Sequence, residues 1–145
     1  MQIWLWALGG VLAVASTPAI DGGAVQKAQG DIGASCGYTP AVVVEWDGFG
    51  DDVDAKAGLN EGGFGFLTSA FADVCKDAAL KAEVGKQISK IVLTQAYGAA
   101  DPVIYLARKT LHIEYLWARG VPGPDTAYVR DEIAARLRGE EAEAP

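Results

Sequence analysis

The most strongly patterned segments of the chain have the composition of β-strands. In AVVVEWDGF, residues 41–49, β-branched and aromatic side chains predominate. Because side chains alternate between the two faces of a strand, Val42, Val44 and Trp46 share one face, which we expect to point into the core. Three later segments show the same enrichment: KIVLTQAY at residues 90–97, PVIYLARK at 102–109 and TLHIEYLW at 110–117. Short connections separate these three segments, which favours antiparallel neighbours.

Between the first and second predicted strands, apolar residues recur at helical spacing. Leu67, Phe71 and Val74 begin a stripe that fits one amphipathic helix. The stripe changes phase before Leu80. We therefore predict two helices that meet at an angle, the second with Asp77 as its N-cap.

A last helix is predicted over residues 126–137, preceded by Asp125 as a candidate N-cap. The resulting element order, β-α-α-β-β-β-α, contains no parallel βαβ repeat. It predicts an α+β fold with two layers, in which helices pack on one face of a four-stranded, mainly antiparallel sheet. We expect a single domain over residues 36–138.

The opening segment of the chain has the features of a targeting sequence. It is uncharged, and its apolar run of about 13 residues has the length of a signal-peptide core and is too short to cross a bilayer. Small residues follow, with candidate cleavage sites after Ala15 or Ala19. We predict a signal peptide over residues 1–19 and a periplasmic or secreted location. Basic residues are missing before the run, so an uncleaved membrane anchor or a buried helix stays an open alternative.

The segments that flank the predicted domain lack apolar periodicity. Residues 20–35 are rich in Gly, Ala and polar residues, which predicts a flexible leader. Residues 139–145, GEEAEAP, are acidic and predict a disordered tail.

The chain has two cysteines, Cys36 and Cys75, both after the predicted cleavage site. In an oxidising compartment such a pair predicts a disulfide bond. Two buried free thiols are the alternative, because export is itself an inference. Two cysteines and one distant histidine lack the paired spacings of zinc sites.

The net charge of −7 argues against two classes of partner. Nucleic-acid binding relies on Lys and Arg that neutralise phosphates, and attraction to an anionic membrane surface also requires basic residues. The glycine-rich segment GLNEGGFGF, residues 58–66, lacks the Gly-Lys-Ser/Thr ending of a phosphate loop. We therefore predict no nucleic-acid partner and no cofactor.

The single histidine is the first candidate for chemistry. His112 alternates with apolar neighbours in its strand and so shares a face with Glu114. The two side chains are candidates for a general base and its orienting partner. No activated nucleophile is identifiable beside them, so a solvated polar face is the competing interpretation.

An acidic loop is the second candidate, because Asp51, Asp52 and Asp54 offer hard oxygen ligands of the kind that bind calcium. Counted from Asp52, the loop departs from the EF-hand pattern at Lys56 and again at Gly63, where a bidentate glutamate is required. We predict no metal site there.

Aromatic residues on or beside the predicted strands are the third candidate. They could line a ligand groove or form a partner-binding surface, although such residues more often form the core of a small sheet. The five residues are Trp46, Tyr97, Tyr105, Tyr115 and Trp117.

Four segments carry a resemblance to known proteins: VEWDGF, FADVCKD, KAEVGKQISKIV and YVRDEIAARL. Together they extend through most of residues 41–137 and are similar to small exported domains of Gram-negative bacteria that have no assigned activity. The resemblance implies a bacterial exported α+β domain and transfers no catalytic residue.

Two functional hypotheses follow. The first is an exported, non-enzymatic module that binds another protein of the cell envelope through its sheet or an exposed aromatic patch. The second is a small hydrolase or lyase that uses His112 with a nearby carboxylate. They are distinguished by whether those side chains converge in one concave pocket.

Overall fold

The structure is a computed structural model that describes residues 22–59, 64–96, 101–118 and 123–141. The predicted signal peptide and residues 142–145 of the predicted acidic tail lie outside the described residues. Within the described ranges, no helix has the length and apolar composition needed to cross a membrane.

Four strands form one mixed sheet, in the order β1-β2-β4-β3. Strand β2 pairs in parallel with both β1 and β4, and only β3 runs antiparallel to its neighbour β4. The α+β class is confirmed, but the prediction of a mainly antiparallel sheet is wrong. The strands are β1 Ala41–Val44, β2 Lys90–Gln95, β3 Val103–Ala107 and β4 Thr110–Tyr115.

The burial of β2 is consistent with its parallel pairing to both neighbours. Ile91, Val92 and Leu93 are consecutive and all buried, so β2 is covered on both of its faces. Strands buried on both faces are characteristic of parallel sheets. Strand β3 lies at the edge, and β4 fits between β2 and β3. The prediction from short connections was wrong because β3, the next strand after β2 in the chain, lies at the edge of the sheet. The following strand, β4, then pairs with β2.

Five helices accompany the sheet. Helix α3 is the central one, because it packs against both α1 and α5, while α1 also packs on β1 and α5 on β3. Helix α4 follows α3 after a short break at residues 75–77. Their bounds are α1 Gly22–Cys36, α2 Val53–Gly58, α3 Phe64–Val74, α4 Ala78–Gln87 and α5 Thr126–Leu137.

Helix α1 corrects the predicted flexible leader. Residues 22–36 are helical, and Ala28 and Ile32 are buried in the core. These two residues are four positions apart and so lie on the same side of the helix. The prediction missed them because glycine and polar residues surround them, and one pair is too short to show a helical period.

Aspartate side chains begin three of the helices. Asp77 accepts hydrogen bonds from the backbone N–H groups of Ala79 and Leu80, which confirms it as the N-cap of α4. Asp125 caps α5 in the same way. Asp52 caps the short helix α2, which interrupts the loop predicted after the first strand. That strand is itself shorter than predicted, because residues 46–49 form a 3-10 helix.

The core lies between the helices and one face of the sheet. Val42 and Val44 point into it, as predicted, and Trp46 packs against it half-buried. Cys36 at the end of α1 and Cys75 after α3 form a disulfide, with their Cα atoms 5.3 Å apart. This pairing is as predicted from the sequence, and it is consistent with an oxidising compartment.

Candidate functional site

The face of the sheet opposite the core is the first candidate surface. The strand register brings side chains of all four strands into rows there, because residues paired across strands point to the same side. We call this surface the open face. It consists of Ala41, Val43, Glu45, Lys90, Val92, Thr94, Val103, Tyr105, Ala107, Thr110, His112 and Glu114.

An apolar and aromatic row crosses the middle of the open face, from Val43 through Val92 and His112 to Tyr105. Val43 is 39% exposed, whereas its neighbour Val92 is 4% exposed although it lies outside the core cluster. Val92 is therefore covered by its neighbours on this face. His112 and Tyr105 are half-buried.

His112 and Glu114 share this face, as the alternation of β4 predicted, and both are held by Tyr105. The rings of Tyr105 and His112 stack with their centroids 4.5 Å apart and their planes 8° from parallel. The Tyr105 hydroxyl donates a hydrogen bond of 3.4 Å to Oε1 of Glu114. Tyr105 therefore joins the two candidate residues into one group.

The open face is electronegative around Tyr105. Burial raises the pKa of the Tyr105 phenol above its ordinary value of 10.0, and the carboxylates of Glu114 and Glu45 raise it further. Glu45 also accepts a hydrogen bond of 3.5 Å from the Thr94 hydroxyl. Glu114 thus lies beside the aromatic end of the central row, and Glu45 lies nearer its Val43 end.

His112 lies on the open face beside Tyr105. One face of the imidazole is covered by the Tyr105 ring. A cleft of about 550 Å³ lies at the β3 edge of the sheet. Tyr105 lines it, but His112 and Glu114 do not. The two candidates therefore share an open surface, and neither lines that cleft.

The three acidic residues considered as calcium ligands differ in their surroundings. Asp52 accepts the hydrogen bond that begins helix α2. Asp51 and Asp54 are exposed. Among the described residues, no group of three or more His, Cys, Asp or Glu side chains could hold a metal ion.

Most of the predicted strand aromatics belong to the core. Trp117 is buried, its indole N–H donates to the Thr94 carbonyl, and its ring contacts both Phe66 and Tyr115. Tyr115 and Trp46 are half-buried against the core. Tyr97 lies outside the described residues. Tyr105 is the one that faces the open side.

Gln95 is a structural residue that the sequence did not reveal. It is 7% exposed, and its side-chain amide accepts from the Trp117 N–H at 2.9 Å and donates to the Trp117 carbonyl at 3.3 Å. This pair of bonds satisfies the backbone just after β4. A polar residue at the end of a predicted strand does not indicate which backbone groups its side chain will bond.

A basic cleft at the β3 edge is the second candidate site, and the sequence analysis missed it. Its volume is about 550 Å³, and its cations come from three distant parts of the chain. Only the folded structure brings these residues together. They are Lys86, Arg108, Lys109 and Arg136.

Comparison with known proteins gave no significant match to a family model, a curated protein or a solved structure.

Proposed function

We propose that the protein is an exported, non-enzymatic interaction module of the bacterial cell envelope. We further propose that it binds a basic segment of another envelope protein through the open face. The observation that carries this proposal is the central row of the open face, in which Val43 is 39% exposed and the His112 and Tyr105 side chains are half-buried. Glu45 and Glu114 lie in the neighbouring row.

The chemistry of the open face defines the partner. Val43 and the Tyr105 ring offer apolar and aromatic contact area, which is what binding sites use at their centre. Glu45 and Glu114 complement Lys or Arg side chains of the partner. The net charge of −7 adds long-range attraction for the same kind of segment.

Export is supported by the uncharged apolar segment at the start of the chain and by the disulfide. A periplasmic or secreted location would present the open face to envelope proteins. The alternative activity, a small hydrolase or lyase that uses His112, is supported less well, because His112 is stacked on Tyr105 and does not line the cleft.

A photocrosslinking experiment in the native host tests the proposal. A photoreactive amino acid replaces Val43, and in the matched control it replaces Val53, which is 61% exposed on α2. We expect an adduct with one envelope protein from position 43 but not from position 53. Mass spectrometry should locate the attachment in a Lys- or Arg-rich segment.

Charge variants test whether the carboxylates of the open face contribute to binding. Glu45→Gln with Glu114→Gln should lower the yield of the adduct about fivefold, because both complementary charges are lost. Asp51→Asn with Asp54→Asn removes the same charge elsewhere on the surface and should leave the yield unchanged. Equal adducts from positions 43 and 53, or equal yields in both charge variants, would refute the proposal.

A further inference from the structure

The cleft at the β3 edge is strongly basic for so acidic a protein. It lies between the last turn of α4, the β3–β4 hairpin and the end of α5. Four cationic side chains and two carboxylates line its walls: Lys86, Arg108, Lys109, Arg136, Glu140 and Glu141. The cleft therefore carries a surplus of two positive charges, although the chain has a net charge of −7.

Arg136 has unused hydrogen-bonding capacity at this site. Its side chain is 7% exposed, and its Nη1 lies 3.4 Å from a carboxylate oxygen of Glu132 and 3.4 Å from the carbonyl oxygen of Ile104. Its Nε is buried and has no hydrogen-bond partner among the described residues. A buried guanidinium with an unpaired donor is costly, and an oxyanion in the cleft would offset its positive charge.

The other charges leave the cleft available to an anion. Arg108 and Lys109 are exposed at the hairpin turn and form no ion pair in the described part of the chain. Lys86 lies 3.7 Å from Glu83, a loose and exposed pair. Of the cleft's two carboxylates, that of Glu140 lies 3.6 Å from Arg138, which does not line the cleft, and the other belongs to Glu141.

We propose that this cleft binds a phosphate monoester group. Such a group carries a charge of about −1.5 to −2 at neutral pH, opposite in sign to the surplus of the lining residues, and has three acceptor oxygens. The planar fork of an arginine can hold two of these oxygens, while lysines neutralise the remaining charge. A single carboxylate would use fewer of the available donors. The proposal does not depend on binding at the open face.

Calorimetric titration of the full chain tests the proposal, with inorganic phosphate and glycerol phosphate as probes. The first variant is Arg108→Asn with Lys109→Gly, which removes two cations from the cleft. Both residues have left-handed backbone conformations, with φ of 52° and 63°, so Asn and Gly suit their positions. The variant should fold at least as stably as the wild type and bind the probes about tenfold more weakly.

A matched control removes the same charge away from the cleft. Lys27→Gln with Lys76→Gln changes two exposed lysines that pair with Asp31 and Asp73. Binding should stay within about twofold of wild type, because these charges are distant and screened. Equal losses in the control and in the hairpin variant would show that only net charge matters, and would overturn the proposal.

Arg136→Lys tests the buried guanidinium, because lysine keeps the charge but lacks the planar fork. We expect weaker binding of both probes by a protein that melts as a folded domain. Unchanged affinity in this variant, or absence of binding by the wild type, would overturn the proposal.

Vesicles of phosphatidic acid and of phosphatidylcholine distinguish a lipid headgroup from a soluble phosphate. Cosedimentation with the former alone, lost in the hairpin variant, would assign a lipid source. Binding of glycerol phosphate without cosedimentation would assign a soluble one. Cosedimentation that is equal in wild type and hairpin variant would count against the cleft.

Discussion

Tyr105 and His112 lie directly opposite each other on β3 and β4, with their rings stacked 4.5 Å apart and 8° from parallel. The stack gives the histidine a fixed position in a row of surface side chains. The same tyrosine donates to Glu114, so the three polar side chains form one connected group. A preorganised patch suits recognition, because fewer side chains must be ordered on binding.

Ionisation of Tyr105 should lower stability at alkaline pH. Its pKa is raised in the folded protein, so above pH 10 the unfolded chain loses this proton before the folded protein does. The stabilisation is complete below the ordinary pKa and is lost as the pH rises through the higher folded value. Tyr105→Phe should remove this part of the loss, as measured by urea unfolding from about pH 9 to pH 11.

Tyr38→Phe is the control for that experiment. Tyr38 is 38% exposed, and its removal leaves the Tyr105 contact intact. The alkaline loss should persist in Tyr38→Phe. A Tyr105→Phe protein with the same pH dependence as wild type would contradict the electronegative environment assigned to Tyr105.

The disulfide should contribute measurably to stability. Cys36→Ala with Cys75→Ala should lower the free energy of unfolding by about 2–4 kcal/mol, because the unfolded chain gains freedom over the 39-residue separation. Urea unfolding of the wild type in the presence of reductant should give a similar loss. An unchanged midpoint in reductant would indicate that the two thiols are not bonded.

Gly58 should resist substitution, because a Cβ at this position would lie 2.6 Å from the backbone carbonyl carbon of Ala118. Gly58→Ala should destabilise the protein by about 1–3 kcal/mol through this overpacking. Gly85→Ala is the matched control, since nothing lies within 4 Å of the added methyl group. In the interior of helix α4, that change should stabilise by about 0.5–1 kcal/mol. Thermal unfolding of both variants tests the contrast, which would fail if they shifted in the same direction.

The β3–β4 turn should accept glycine with a gain in stability. Lys109 has a φ of 63°, a conformation that costs a residue with a Cβ about 1 kcal/mol or more. Lys109→Gly should raise the free energy of unfolding by about 1 kcal/mol. Lys109→Ala removes the same charge but keeps the Cβ, so it should bring no such gain. If both variants gained equally, charge rather than backbone strain would be the cause.

Local signals in the sequence were sufficient for most individual elements. Asp77 and Asp125 cap helices as predicted, and the last helix has the predicted bounds, because a cap depends only on the next few residues. The shared face of His112 and Glu114 follows from strand alternation alone. Only one disulfide pairing, Cys36 with Cys75, was possible, since the chain has only two cysteines.

Helix α1 and the order of the strands were beyond these local signals. Ala28 and Ile32 become core residues only because α3 and β1 offer a surface to pack against. The order of the strands depends on which elements pack against the two faces of each strand. Strand β2 runs parallel to β1 because helices α2, α3 and α4 connect the two strands in a crossover.

The sequence by itself determined the helix caps, the strand faces and the identity of the disulfide partners, because each depends on residue type and short spacing. The tertiary structure alone decided the sheet order and both candidate sites. Tyr105 meets His112 through pairing of β3 with β4, and Arg136 meets Lys109 in the cleft because α5 packs beside β3. Such contacts join residues that are distant in the chain and meet only when the core has formed, so short sequence patterns do not predict them.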